Sequence, residues 1–216
     1  MSMKNMKMKR IVVLSFVLLL TGSLAACTGH VNLAKTPAEG LKTGYNDPEL
    51  VALSQKYNGS LRDIYARYTS KGMGVAKEGL GFTSLSDKSG RRVYYLFVET
   101  HHEECNFDKN TTTGQQRLQV VLQRYFEPEL RVLTKKDVAT DDISGLAFGV
   151  AWAVRDFYQC DKYGGFVEYV IAYISKSDFY AIVDGTKTVN SVLANSEVIT
   201  SLDLQPATSI KLKYQQ

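Results

Sequence analysis

The chain has 216 residues, and its 26 Lys and Arg against 22 Asp and Glu give a formal net charge of +4. Four of the basic residues and none of the acidic ones lie in the first 26 positions, so the other 190 residues are formally neutral. A neutral domain gives no electrostatic reason to expect nucleic acid or an anionic membrane surface as its partner. Its length suffices for one well-buried core, and we expect a single domain.

The N-terminus has the pattern of an export signal. Residues 1–10 carry four basic side chains and no acidic one, and residues 11–20, IVVLSFVLLL, are apolar apart from one serine. These are the charged and apolar regions of a secretory signal. Ten apolar residues are too few for a helix that spans a bilayer, which needs about 20. The sequence therefore predicts a cleaved signal rather than a retained transmembrane anchor.

The segment Leu24-Ala25-Ala26-Cys27 closes this signal and resembles the lipobox of bacterial lipoproteins. The resemblance covers residues 1–27. It implies that residues 1–26 are removed, that the Cys27 thiol carries a diacylglycerol and that the new N-terminus is acylated. It also implies a cell-envelope protein, and Thr28 in place of an aspartate favours the outer membrane, facing the periplasm. Two or three acyl chains make such an attachment lasting.

The segment after the lipobox is predicted to be a tether. Residues 28–47 have no clear hydrophobic period and contain one proline and three glycines. We therefore expect residues 27–47 to link the lipid to a single folded domain at residues 48–216. Twenty flexible residues would average roughly 25 Å from end to end.

Two helices that share one buried face are predicted at the start of the domain. Asp47 and Pro48 supply a capping side chain and a first-turn proline. Apolar residues then recur at spacings of three and four from Leu50 to Tyr68, with Asn58-Gly59 as an interruption.

A β-hairpin is predicted next, with strands at residues 80–85 and 92–100. The second strand is apolar on both alternating sides, which is typical of a central strand. A helix follows at residues 115–126, and Pro128 is expected to end it.

Residues 143–158, ISGLAFGVAWAVRDFY, fit either a helix or a strand. Gly145 and Gly149 would weaken a helix by about 1 kcal/mol each. As a strand the segment has large side chains, Trp152 among them, on one side and only Ala and Gly on the other. We predict a strand that pairs with residues 166–175, with Trp152 in the main core and a helix packed closely on the small side.

Short helices are predicted after Ser175 and Thr188, and an edge strand at residues 209–214. The sum is an α+β fold. Its antiparallel sheet consists of two hairpins and the C-terminal edge strand, with helices packed on it.

The two remaining cysteines are predicted to form a disulfide. With Cys27 used for the lipid, Cys105 and Cys160 are an even pair in an oxidising compartment. Each follows a predicted strand, and those strand ends can meet at one edge of the sheet. Closing this loop would stabilise the fold by up to roughly 4 kcal/mol.

A metal site is the alternative interpretation of residues 100–105, THHEEC. His101, His102 and Glu104 are its candidate ligands, since zinc binds imidazole and carboxylate groups. Adjacent residues of a strand point to opposite faces, so only one of the two histidines could join a shared site without a bend. The disulfide is therefore the favoured interpretation.

The second hairpin offers two further candidate sites. Glu168 lies in an otherwise apolar strand and could act as an acid or base, although a cross-strand pair with Arg155 is the favoured interpretation. Tyr158, Tyr163 and Tyr169 could form a surface on which a ligand stacks.

No motif for a nucleophile, a bound phosphate or a catalytic zinc is present. We therefore expect a non-enzymatic, lipid-anchored binding or scaffolding domain. Its expected partner is another envelope component, and no cofactor is expected beyond the lipid. Two alternatives stay open: a small metal-binding protein or metal-dependent hydrolase, and a lipoprotein that binds a ligand through the aromatic hairpin at residues 158–173.

Overall fold

The computed structural model describes residues 32–87, 89–157 and 165–212, and within residues 102–105 it describes the backbone but not the side chains. The predicted signal, the lipidation site Cys27 and the Cys105–Cys160 disulfide therefore lie outside the described residues or side chains.

The described strands form one sheet whose spatial order follows the chain. All neighbouring strands are antiparallel except β2 and β3, which are parallel because a long helical crossover connects them. The predicted α+β fold with a mostly antiparallel sheet is confirmed. The strands are β1 (Gly74–Ser86), β2 (Arg92–Asp108), β3 (Gly145–Arg155), β4 (Phe166–Ser175), β5 (Glu197–Ser201) and β6 (Thr208–Ile210).

The described helices are short, and several begin where the sequence supplies a capping side chain. The side chains of Asp47, Ser175 and Thr188 each accept a backbone N–H of the first helical turn that follows. The helices are α1 (Pro37–Gly40), α2 (Pro48–Lys56), α3 (Asn58–Ser70), α4 (Gly114–Val121), α5 (Glu127–Leu130), α6 (Lys176–Val183) and α7 (Val189–Leu193).

Pro128 does not end the helix that begins at α4, contrary to the prediction. A π-helical turn at Leu122–Phe126 links α4 to α5, and Pro128 occupies the first turn of α5. Proline removes a backbone N–H, and its ring clashes with the carbonyl four residues earlier, here that of Arg124. The wider π turn changes the local register and lets the chain continue helically to Leu130.

Strands β3 and β4 pair antiparallel along their length, as the sequence predicts. Trp152 lies opposite Glu168 and is fully buried. The predicted strand is present at Gly145–Arg155, within residues 143–158, and the burial of its tryptophan is confirmed. The C-terminal edge strand is also present, and within the described residues it covers Thr208–Ile210.

Part of the predicted tether belongs to the domain. Leu33 pairs with Ala76, Leu41 pairs with Leu80, and Leu41 is buried in the main core. These residues fill the edge of β1 at an irregularity between Val75 and Leu80, where β1 loses its register with β2. The folded domain thus includes residues 32–47, and the predicted tether of residues 27–47 is too long.

Replacing Leu41 with Ala should therefore destabilise the domain by about 2–3 kcal/mol, because the side chain leaves the main core. The matched control is Leu204→Ala, since Leu204 is 73% exposed and its truncation should change the free energy of unfolding by less than about 0.5 kcal/mol. Urea unfolding measures both. Equal, small effects would show that residues 32–47 are a tether after all.

Candidate functional site

Side-chain alternation gives the sheet two different faces. On one face, large side chains of the strands, including Phe148, Trp152 and Ile174, pack against the helices in the main core. The opposite face carries a smaller apolar cluster, and all its members among the described residues belong to strands. We call this side the second face. Its cluster contains Phe97, Ala147, Ile171 and Tyr173, flanked by Leu85, Tyr95, Tyr169 and Ile199.

The small residues of β3 form the floor of the second face. The sequence predicts a helix on this small side. In the described part of the chain, side chains of the neighbouring strands β2 and β4 cover it instead. A Cβ atom at Gly149 would lie 3.0 Å from Cγ1 of Ile171 and 3.7 Å from Cγ of Glu99. The absence of a side chain at Gly149 therefore lets residues of β2 and β4, two strand spacings or about 10 Å apart, approach each other.

Glu99 is an acidic group of the second face, and Glu197, opposite Tyr173, is another. Glu99 is half-buried, and burial raises the pKa of its carboxyl, while the Lys42 ammonium lowers it. The Lys42 ammonium also lies 5.8 Å from the centre of the Phe97 ring, a cation–π arrangement. The pKa of Tyr169 is raised by burial and by the charge of Glu99. Glu99, Lys42 and Tyr169 therefore form one electrostatically coupled group.

Two further tyrosines extend the aromatic surface. The rings of Tyr95 and Tyr173 meet edge to face, with their centres 5.3 Å apart. Burial raises the pKa of Tyr173 to about 12, although a hydrogen bond with Thr83 acts in the opposite direction. Burial also raises the pKa of Tyr95, so both phenols remain protonated at neutral pH. Tyr173 is buried, whereas Tyr95 is partly exposed.

His101 is the candidate metal ligand whose side chain is described. It is buried, and its Nδ1 lies 2.7 Å from the carbonyl oxygen of Ala151. Because a carbonyl only accepts, Nδ1 carries the hydrogen of this bond. No group of three His, Cys, Asp or Glu that could hold a metal occurs among the described residues. The side chains of His102 and Glu104 lie outside that set, so the metal site stays a prediction.

The structure describes some of the other candidate residues predicted from the sequence and leaves others outside the described part. Tyr169 lies on the second face, whereas Tyr158 and Tyr163 fall outside the described residues. Cys105 contributes only its backbone, and Cys160 is not described. The disulfide and the complete aromatic hairpin therefore stay predictions.

Glu168 lies on the main-core face and pairs with Arg117 of α4. The guanidinium Nε and Nη2 donate to the two carboxylate oxygens at 2.8 and 2.7 Å, and both side chains are almost fully buried. The predicted partner, Arg155, is wrong because alternation places Arg155 and Glu168 on opposite faces of the sheet. Arg117 instead approaches from the helical layer.

Two further groups donate hydrogen bonds to the Glu168 carboxylate. The indole N–H of Trp152 donates to Glu168 at 2.8 Å, and the backbone N–H of Asp203 donates at 2.7 Å. The Asp203 carboxylate and the Thr112 carbonyl accept from Arg117. The pKa of Arg117 is lowered by burial and raised by Glu168 and Asp203, with a net rise. The Glu168 carboxylate thus already accepts four hydrogen bonds, which suits a structural role.

The sequence contains a signal that points to Arg117. Arg117 lies four residues before Val121, so it occupies the apolar face of the predicted helix rather than its exposed side. A cation on a buried helical face and an acid in a buried strand are natural partners. Only the relative placement of α4 and β4, which the sequence does not give, identifies them as a pair.

Glu129 is a second buried acid, located in α5. The hydroxyl of Thr100 donates to its carboxylate, and the hydroxyl of Tyr68 donates to its backbone carbonyl at 2.8 Å. Burial raises the pKa of Glu129 to about 7, and the hydrogen bond from Thr100 acts in the opposite direction. This carboxyl therefore titrates near neutral pH inside the core.

Two small pockets lie on the helical side of the sheet. One, of about 70 Å³, lies between α3, the segment at residues 136–140 and the sheet residues Phe82 and Leu96. The other is shallower, about 270 Å³, between α2 and Asp142. Their linings include no residue of the second face.

No protein family matches the chain, and no curated protein or solved structure is detectably similar to it. Within the described residues, none of the helices has the length and apolarity that crossing a bilayer requires.

The raised pKa of Glu129 makes stability depend on pH. Because the folded protein holds this proton more tightly than the unfolded chain, the group's contribution is fully present below about pH 4.5 and is lost as pH rises through about 7. Between pH 5 and 8 the wild type should lose up to about 3 kcal/mol more of its free energy of unfolding than Glu129→Gln, whose side chain cannot ionise.

Urea unfolding across this pH range measures the difference. Thr100→Val should shift the midpoint of the wild-type loss to higher pH, because the hydrogen bond that lowers the Glu129 pKa is removed. Parallel profiles for the wild type and Glu129→Gln would contradict the assignment.

Proposed function

We propose that this chain is a lipid-anchored cell-envelope protein whose domain binds another envelope component through the second face. The lipobox at Leu24-Ala25-Ala26-Cys27 supports the anchor and the location. The protein acts as a binding module held at a membrane, facing the periplasm, and its covalent lipid is its only prosthetic group.

The composition of the second face supports the proposed role in binding. The described members of its apolar cluster are strand residues, several of them aromatic, and the helices pack on the other side of the sheet. Tyr95, Tyr169 and Ile199 are partly exposed, whereas Phe97 and Tyr173 are buried between them. Aromatic residues that combine an apolar ring with a hydroxyl are favoured at protein interfaces. Val167 continues the surface along β4 and is 38% exposed.

Binding is favoured over catalysis at Glu168 by the hydrogen bonds that its carboxylate already accepts. Both oxygens of Glu168 are taken by Arg117, Trp152 and the backbone of Asp203, and this leaves little room for a substrate. In the alternative in which the lipoprotein binds a ligand, the same surface is used through Tyr169. The bound partner is then a small molecule instead of a protein.

Lipidation is tested at Cys27. Cys27→Ser should leave an unprocessed precursor and abolish labelling by a fatty-acid analogue, since the thiol is the acceptor. Cys105→Ser is the matched control and should be labelled and processed like the wild type. Normal processing and labelling of Cys27→Ser would refute the anchor.

The binding surface is tested by two valines of equal exposure. Val167, on the second face, is 38% exposed, and Val183, at the end of α6, is 39% exposed. A photoreactive amino acid at position 167 should give a discrete protein adduct in intact cells, and the same group at 183 should not. Equal patterns from both positions would contradict a partner on the second face.

A further inference from the structure

The N-terminal end of the described chain is fixed to the first strand by its backbone. The Lys77 N–H donates to the carbonyl of Asn32 at 2.8 Å, and the Ala34 N–H donates to the carbonyl of Val75 at 2.9 Å. A Cβ at Gly74 would lie 2.5 Å from the side chain of Leu33, so this segment packs closely against β1. Asn32 is therefore a defined point on the β1 edge of the sheet.

The distance from this point to the predicted lipid is short. Four residues separate Cys27 from Asn32, so five residue steps join the two. Fully extended, five steps cover at most about 18 Å. This is a maximum, whereas the predicted tether of twenty residues would average roughly 25 Å and could extend much further.

The maximum length of the segment between Cys27 and Asn32 favours one edge of the sheet at the membrane. Five strand spacings of about 4.8 Å separate β1 from β6, so the two edges lie roughly 24 Å apart. The lipid at Cys27 can therefore bring the β1 edge to the bilayer more readily than the β6 edge. Lys35 and Lys77 are exposed near Asn32, but Glu39 accepts from the Lys35 N–H and lies 3.7 Å from the Lys77 ammonium, so the length of the tether, and not charge, favours the β1 edge.

We propose that the domain lies against the bilayer with its β1 edge, formed by residues 32–35 and the start of β1, and presents the β6 edge away from the membrane. This orientation rests on the proposed lipidation of Cys27. The partner of the β1 edge is the phospholipid surface itself.

The test compares two exposed lysines at opposite edges. A photoreactive diazirine amino acid replaces Lys77 beside Asn32, or Lys211 just after β6, in the full-length protein processed in cells. The purified lipoprotein is reconstituted into vesicles of phosphatidylethanolamine and phosphatidylglycerol. Position 77 should form roughly tenfold more lipid adduct than position 211, because about 24 Å separates the two edges.

A spacer variant provides the second arm. Inserting about 20 Gly and Ser residues after Thr28 adds a flexible segment of roughly 25 Å, so adduct formation at position 77 should fall to the level at 211. Labelling of Cys27 by a fatty-acid analogue should be unchanged.

The outcomes separate the orientation from the anchor. Equal adducts at positions 77 and 211 in a labelled protein, or adducts at 77 that survive the spacer, would overturn the orientation and leave the lipid anchor intact. Absence of fatty-acid labelling in the unmodified chain would overturn the anchor and the orientation together.

Discussion

The buried pair of Arg117 and Glu168 is the interaction on which the arrangement of layers depends. Burying two charges costs several kcal/mol each, and the cost is offset only when their geometry and hydrogen bonds are nearly complete. Here Glu168 accepts four hydrogen bonds, and Arg117 donates to Glu168, Asp203 and Thr112. The pair therefore fixes α4 over β4 and joins the loop at Asp203 to the same point.

Fixing the helical layer on one side determines what the other side can do. The crossover from β2 to β3 contains α4 and α5, so placing α4 over β4 keeps this connection on the main-core face. The second face is then built from strand side chains, with the small residues of β3 between the larger ones of β2 and β4. Its coupled group of Glu99, Lys42 and Tyr169 adds charge to an aromatic surface, a combination suited to recognising a partner.

The sequence predicted those features that a local pattern encodes. Alternation of size along residues 146–154 identified a strand, and the caps at Asp47, Ser175 and Thr188 located helix starts. The features it missed depend on contacts between distant segments. Residues 32–47 show no period because they pair with β1 one residue at a time. Arg155 is expected near the cross-strand position of Glu168, but the register places Trp152 there and Arg155 on the opposite face. Lipidation, the disulfide and the metal alternative remain predictions.

A double-mutant cycle on Arg117 and Glu168 tests the central claim most directly. Arg117→Met and Glu168→Gln are made singly and together, and urea unfolding gives the free energies. Each single change should cost about 3–5 kcal/mol, because it leaves the other buried group without its partner. The double variant should be more stable than the sum of the single effects predicts, by about 2 kcal/mol. Additive effects below about 1 kcal/mol each would show that the pair does not hold the helical layer to the sheet.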